Sequence, residues 1–90
     1  MKKYLVVIEK AKGNYAAFSP DVLGCIATGS TVEETTKEMK EALQFHIESL
    51  DAVPEPKGIS RHIADGIFNK DEVAEEYFIT EVEVFIPHHA

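Results

Sequence analysis

Few residues in this chain have the type and spacing to do chemistry. Cys25 is the only cysteine among 90 residues, so an internal disulfide, a two-thiol redox pair and a zinc site built on paired thiols have no second thiol to use. Its expected state is a small buried hydrophobe. His46 falls on the apolar side of a helical repeat, where a packing histidine is the ordinary reading, and His88-His89 is a pair with no third ligand at metal spacing. The sequence holds no Ser/His/Asp set, Gly-rich phosphate loop or His-Glu-x-x-His pattern. The expectation is therefore no enzyme, no metal and no cofactor. Thr31 and Glu34 have a definite structural use: Thr-x-x-Glu is a capping box, in which hydroxyl and carboxylate satisfy free N–H groups at a helix start.

Charge is the stronger functional signal. Nine Lys+Arg stand against sixteen Asp+Glu, for a net charge of −7. Lys2, Lys3, Lys10 and Lys12 against Glu9 alone make residues 1 to 12 locally basic, leaving −10 for the rest. From Asp71 onward there are six acids (Asp71, Glu72, Glu75, Glu76, Glu81, Glu83) and no Lys or Arg. Such a body repels phosphate backbones and attracts basic proteins, while also serving solubility. The longest apolar runs, such as Tyr4 to Ile8, fall far short of the ~20 residues that span a bilayer, and no basic-then-apolar leader follows Met1. A cytoplasmic address and no membrane partner are expected. At this length the chain forms one small domain, residues 1-90, with a modest core.

These residues are positioned by a short series of elements. Tyr4 to Ile8 is rich in β-branched and aromatic residues and predicts a strand covered on both faces. Asn14 to Ser19 predicts a second strand, with Tyr15 and Ala17 on one face and Ala16 and Phe18 on the other. Pro20, Asp21 and Gly24 have turn-favouring types and positions, open to a backbone role or to a partner surface, and Cys25 to Thr28 follows as a third strand. The capped helix runs to about Leu50, with Val32, Met39, Leu43, Ile47 and Leu50 on one stripe and Thr36 and His46 inside or beside it. After Pro54-Glu-Pro56-Lys-Gly58 comes a short helix over Ile59 to Ile67, then polar Asn69 to Glu72, then a fourth strand from Tyr77 to Ile86 ended by Pro87. The predicted class is α+β: β-β-β-α-α-β, with the last strand returning in parallel to give a mixed four-stranded sheet, order 3-2-1-4, and one main helix on one face.

Several of these motifs occur together in one family. Pro20-Asp21-x-x-Gly24-Cys25, then Gly29-x-Thr31-x-Glu33-Glu34, then Glu41-Ala42-Leu43 inside the helix, and the Pro54-Glu-Pro56 exit resemble the HicB-type antitoxin family over residues 3 to 56. The resemblance implies a partial RNase H-like fold that binds and silences a small, basic, mRNA-cleaving toxin of the HicA type. It also leaves open an orphan domain serving another protein partner. Many members add a C-terminal DNA-binding module; with four residues after the last predicted strand here, direct nucleic-acid binding by this chain is not expected. The implied fold raises nuclease chemistry, in which three or four carboxylates gather around two Mg²⁺ ions. The candidates are Glu9, Glu38 or Glu41, and Glu81 or Glu83, but Glu38 and Glu41 fall on the solvent side of the helix.

Candidate partner-binding residues follow from the patterning. Phe45 lies about 140° from the centre of the helical stripe and either packs under the Ile59 to Ile67 segment or contacts a partner. On the last strand Tyr77, Ile79, Glu81, Glu83 and Phe85 share one face, opposite Phe78, Val82, Val84 and Ile86. With the long helix already used on the other face, Tyr77, Ile79 and Phe85 predict an exposed patch and a homo-oligomer. Tyr77 and Phe85, flanking the repulsive Glu81 and Glu83, would carry that contact.

Overall fold

A computed structural model of the chain describes residues 1–50, 52–66 and 76–86. Its elements are β1 (Lys2–Ala11), β2 (Asn14–Ser19), β3 (Val22–Gly29), α1 (Val32–Glu48), α2 (Ile59–Ala64) and β4 (Tyr77–Val84). Helix α2 ends at Ala64 with Asp65 as its C-cap, short of the predicted Ile67; Ile67, the polar stretch Asn69 to Glu72, Pro87 and the His88-His89 pair lie outside the described residues.

The strands form one sheet in the order β3-β2-β1-β4, as the sequence predicts. Its sense differs from the prediction. β4 pairs antiparallel to β1, from Lys2 opposite Val84 to Glu9 opposite Tyr77, so the sheet is antiparallel throughout and not mixed. Tyr77 enters beside Glu9, at the end of the sheet away from the C-terminus of α1, so the chain crosses the length of the sheet once more between α1 and β4. That second crossing reverses the direction of β4.

Period-two alternation sorts β1 cleanly. Tyr4, Val6 and Ile8 join Ala17, Val22, Cys25, Val82 and Val84 in a core under α1. Helix α1 buries Thr35, Met39, Leu43 and Ile47, four residues apart each time, which is one face of a helix. The prediction placed Thr36 beside this stripe; Thr35 is the threonine that is fully buried, its hydroxyl donating to the Thr31 carbonyl at 2.6 Å. The cap forms as the sequence predicts in kind. Glu34 N–H donates to Thr31 Oγ1 at 3.0 Å, and the Glu34 carboxylate accepts from Ser30 N–H at 3.2 Å, an arrangement that stabilises a helix start by about 1 kcal/mol.

Two glycines make the meander possible. Val22 and Cys25 both reach the core although three residues apart, which regular alternation forbids. Gly24, at φ +84°, takes up the difference beside the register shift between Phe18 and Ser19. Gly29 lies so close to the start of α1 that a Cβ there would meet Thr35.

The other face of β1 carries Leu5 and Val7, both buried. Strand register aligns Ile26, Phe18, Val7 and Ile79 in one apolar row across all four strands on that face. Helix α2 is on this side, so the sheet has α1 on one face and α2 on the other rather than a single helical layer.

Candidate protein-binding surface

The surface is built from β4 outward. Opposite the core residues Val82 and Val84, the strand turns Tyr77, Ile79, Glu81 and Glu83 to the α2 side, where they sit across from Glu9, Val7, Leu5 and Lys3. Ile79 is 43% exposed. Glu83 meets Lys3 at 3.9 Å, a contact shared with water on both sides. Leu5, Ile59, Ile79, Thr80 and Glu81 line a groove of about 230 Å³ between α2 and β4.

The far end of β4 is fastened to α1. Gln44 Nε2 donates to the Phe85 carbonyl and Phe85 N–H donates to Gln44 Oε1, both at 2.9 Å, so one side-chain amide substitutes for a neighbouring strand. Phe85 is 55% exposed, and Phe45, next in sequence to Gln44, is 79% exposed. Of the two readings for Phe45, packing under α2 is ruled out, since α2 lies across the sheet from α1. The structure therefore places Ile79 and Glu81 on the groove, Phe45 and Phe85 around the Gln44 clamp, and Tyr77 at the opposite end of β4.

The turn residues do something the sequence reading did not foresee. Asp21 leaves the β2–β3 turn with its side chain fully buried and makes three bonds. Its Oδ2 accepts from Leu5 N–H at 3.1 Å; its Oδ1 accepts from Lys57 N–H at 2.9 Å and from the His62 ring at 2.6 Å. Because the β1–β2 ladder extends only to Val7 opposite Phe18, Leu5 N–H has no strand partner on that side, and Asp21 supplies one. Burial alone would push this carboxyl up, but the N–H groups of Lys57 and Leu5 and the His62 ring outweigh it and hold the carboxyl below its ordinary value. Against a carboxylate, Nε2 of His62 is the nitrogen that carries the proton.

Asp21 thus seats the strap that precedes α2. The strap is held again where the Tyr4 hydroxyl donates to the Pro54 carbonyl at 2.7 Å and where Lys2 pairs with Glu55. Burial, then the charge of Asp21, raises the Tyr4 hydroxyl above its usual range, and burial pushes the Cys25 thiol up, so both stay protonated at neutral pH. Pro20 shares the turn with Asp21, whereas Gly24, expected in the turn, lies inside β3 because that strand begins at Val22, and Thr31 and Glu34 sit at the helix start.

The carboxylates considered for nuclease chemistry are divided by the sheet. Glu9, Glu81 and Glu83 belong to the α2 side, while Glu38 and Glu41 are exposed on α1. Among the described residues no three His, Cys, Asp or Glu side chains form a metal-binding group, and no helix is long and apolar enough to cross a membrane. The groove residues Leu5 and Ile59, the clamp residue Gln44 and the anchor His62 were missed by the sequence reading. Only Leu5 carried a signal, as part of a strand predicted to be covered on both faces.

Comparison with known proteins gives consistent relatives. The family model for the HicB-like antitoxin of bacterial toxin-antitoxin systems matches residues 4–84. A 14.9 kDa protein from the rep-hol intergenic region of Haemophilus phage HP1 is 33% identical over 89 residues, covering 94% of this chain and 62% of that protein, so the chain spans under two thirds of this relative. In solved structures, a chain of the HicA3 and HicB3 toxin-antitoxin complex is 28% identical with a TM-score of 0.70, covering 92% of this chain and 98% of that one. The N-terminal domain of the Burkholderia pseudomallei antitoxin HicB superposes with a TM-score of 0.76 at 19% identity, covering 93% and 99%, a likeness of fold.

Proposed function

The chain belongs to the HicB-like antitoxin family, and from that premise we propose that it is a non-catalytic interaction module that binds and covers a small, basic, mRNA-cleaving toxin of the HicA type. The observation that carries this reading is the α2 side of β4. There exposed Ile79 lies beside Glu81 and Glu83, with exposed Phe85 just past the strand end, on a chain of net charge −7. Apolar groups that exclude water beside carboxylates that attract cations are what a basic, RNA-binding face requires of its cover. The toxin's substrate would then be displaced by occlusion, with no chemistry on this side of the complex. A complex structure containing a 28%-identical relative supports a toxin of that type as partner.

Co-expression with the protein encoded in the adjacent reading frame is the direct test. A small basic protein is expected to co-purify, its RNA cleavage is expected to stop on complex formation, and association is expected to slow as salt rises. Finding neither an encoded nor a bound basic protein would overturn the reading.

The same surface supports a homo-oligomer in the absence of toxin. Tyr77 and Phe85 at the two ends of β4 form the contact, keeping Glu81 and Glu83 away from their symmetry mates. Sedimentation equilibrium at micromolar concentration is expected to give a dimer that Phe85→Glu dissociates without loss of helix signal; a 10 kDa species throughout would refute it.

A further inference from the structure

The groove between α2 and β4 has a chemistry more specific than a general acidic face. Its floor is Leu5, which is buried, and its walls are Ile59 and Ile79, both partly exposed. Ile63, one turn beyond Ile59 on α2, extends the apolar rim into solvent. At the edge stands Glu81, whose carboxylate has no ion pair among the described residues. The neighbouring cations are engaged elsewhere: Lys3 faces Glu83, and both Lys57 and Arg61 face Asp65. Among the described residues the groove is thus a largely apolar trough, with Thr80 in its lining and a carboxylate that has no ion pair at its mouth.

We infer that this groove receives an arginine side chain of the basic partner, an assignment that rests on the antitoxin reading. The methylene stem of such a side chain lies over Leu5, Ile59 and Ile79, and its guanidinium meets Glu81. Arginine fits better than lysine because its planar fork gives a lone carboxylate two parallel N–H bonds and is less strongly hydrated than an ammonium. A small, largely apolar pocket that removes water from one such pair is the setting in which arginine anchors dominate an interface. Glu83, already facing Lys3, and Glu81 thus have different tasks.

The test uses the isolated chain, so it does not depend on any toxin. ¹⁵N-labelled protein is titrated with N-acetyl-arginine methylamide and, separately, with N-acetyl-norleucine methylamide, which keeps the stem and lacks the charge. Saturable shifts are expected at the amides of Leu5, Ile59, Ile79 and Glu81 with the arginine probe. They are expected to need at least tenfold more probe in Glu81→Gln, while Glu38→Gln, on exposed α1, leaves them unchanged. The norleucine probe is expected to bind at least tenfold more weakly. Shifts spread over the acidic surface, shifts absent from the groove, or groove shifts indifferent to Glu81→Gln would each overturn the assignment. The antitoxin reading fails on a different observation, the lack of any basic partner protein, so the two failures are told apart.

Discussion

Asp21→Ala is expected to destabilise the fold by about 3–5 kcal/mol, because it leaves Leu5 N–H, Lys57 N–H and the buried His62 ring without their shared acceptor, itself a fully buried side chain. Against a total stability of about 5–15 kcal/mol for a domain of this size, that is a large fraction. Thermal unfolding by circular dichroism should show a fall in Tm of about 15 °C or more. Asp21→Asn keeps one acceptor oxygen and should lose less. Adding His62→Leu to Asp21→Ala should recover part of the loss, since the orphaned ring is removed with the carboxylate; strict additivity would mean that the pair is not coupled. The pH dependence follows from the sign of the shift. A carboxyl held below its ordinary value contributes fully above about pH 4 and progressively less as acid titrates it through the lowered value. The stability gap between the wild-type chain and Asp21→Asn should therefore narrow in acid below about pH 4, and a gap that widened there would contradict the role.

Gly29→Ala is expected to cost about 2–3 kcal/mol for a steric reason. A Cβ at this position would stand 2.6 Å from Thr35 Oγ1, 2.9 Å from Thr35 N and 3.1 Å from Thr35 Cα. Thr35 cannot easily yield, because its N–H and its hydroxyl both bond the Thr31 carbonyl, at 2.9 and 2.6 Å. The first turn of α1 must shift, and the Thr31–Glu34 cap shifts with it. Urea denaturation of Gly29→Ala measures the loss. In the Gly29→Ala/Thr35→Ala double variant the oxygen contact disappears while the backbone contact remains, so relative to Thr35→Ala the added methyl should cost less but still cost something.

How much of this could be read in advance depends on the range over which each signal acts. The capping box, the stripe of α1 and the alternation of β4 operate over three or four residues, and each predicted element formed within a few residues of its expected ends. Gly29 was visible as a motif residue, but its reason was not, because the approach to Thr35 exists only once β3 and α1 are docked. The direction of β4 has no local signal at all: it depends on how many times the chain traverses the sheet between Leu50 and Tyr77. Asp21 and His62 are 41 residues apart and look like a turn acid and a helical histidine until the strap brings them together. For the candidate surface, the β4 residues were legible from patterning. The groove was not, since it needs α2 on the face left unassigned.

Strand β1 occupies the interior of the sheet, and β4, the last in chain order among the described strands, is its neighbour. Residues from Lys2 to Glu48 can assemble β1, β2, β3 and α1 as they leave the ribosome. Until β4 arrives, however, β1 presents a bare row of N–H and C=O groups on that side. Pairing Lys2 with Val84 joins residues far apart in sequence, a closure that comes late for reasons of loop entropy. The groove, which takes Leu5 from β1 and Ile79 and Glu81 from β4, thus exists only once β4 has joined β1. A chain stopping before Tyr77 would carry β1, β2, β3 and α1 and lack the Ile79 and Glu81 side of the groove.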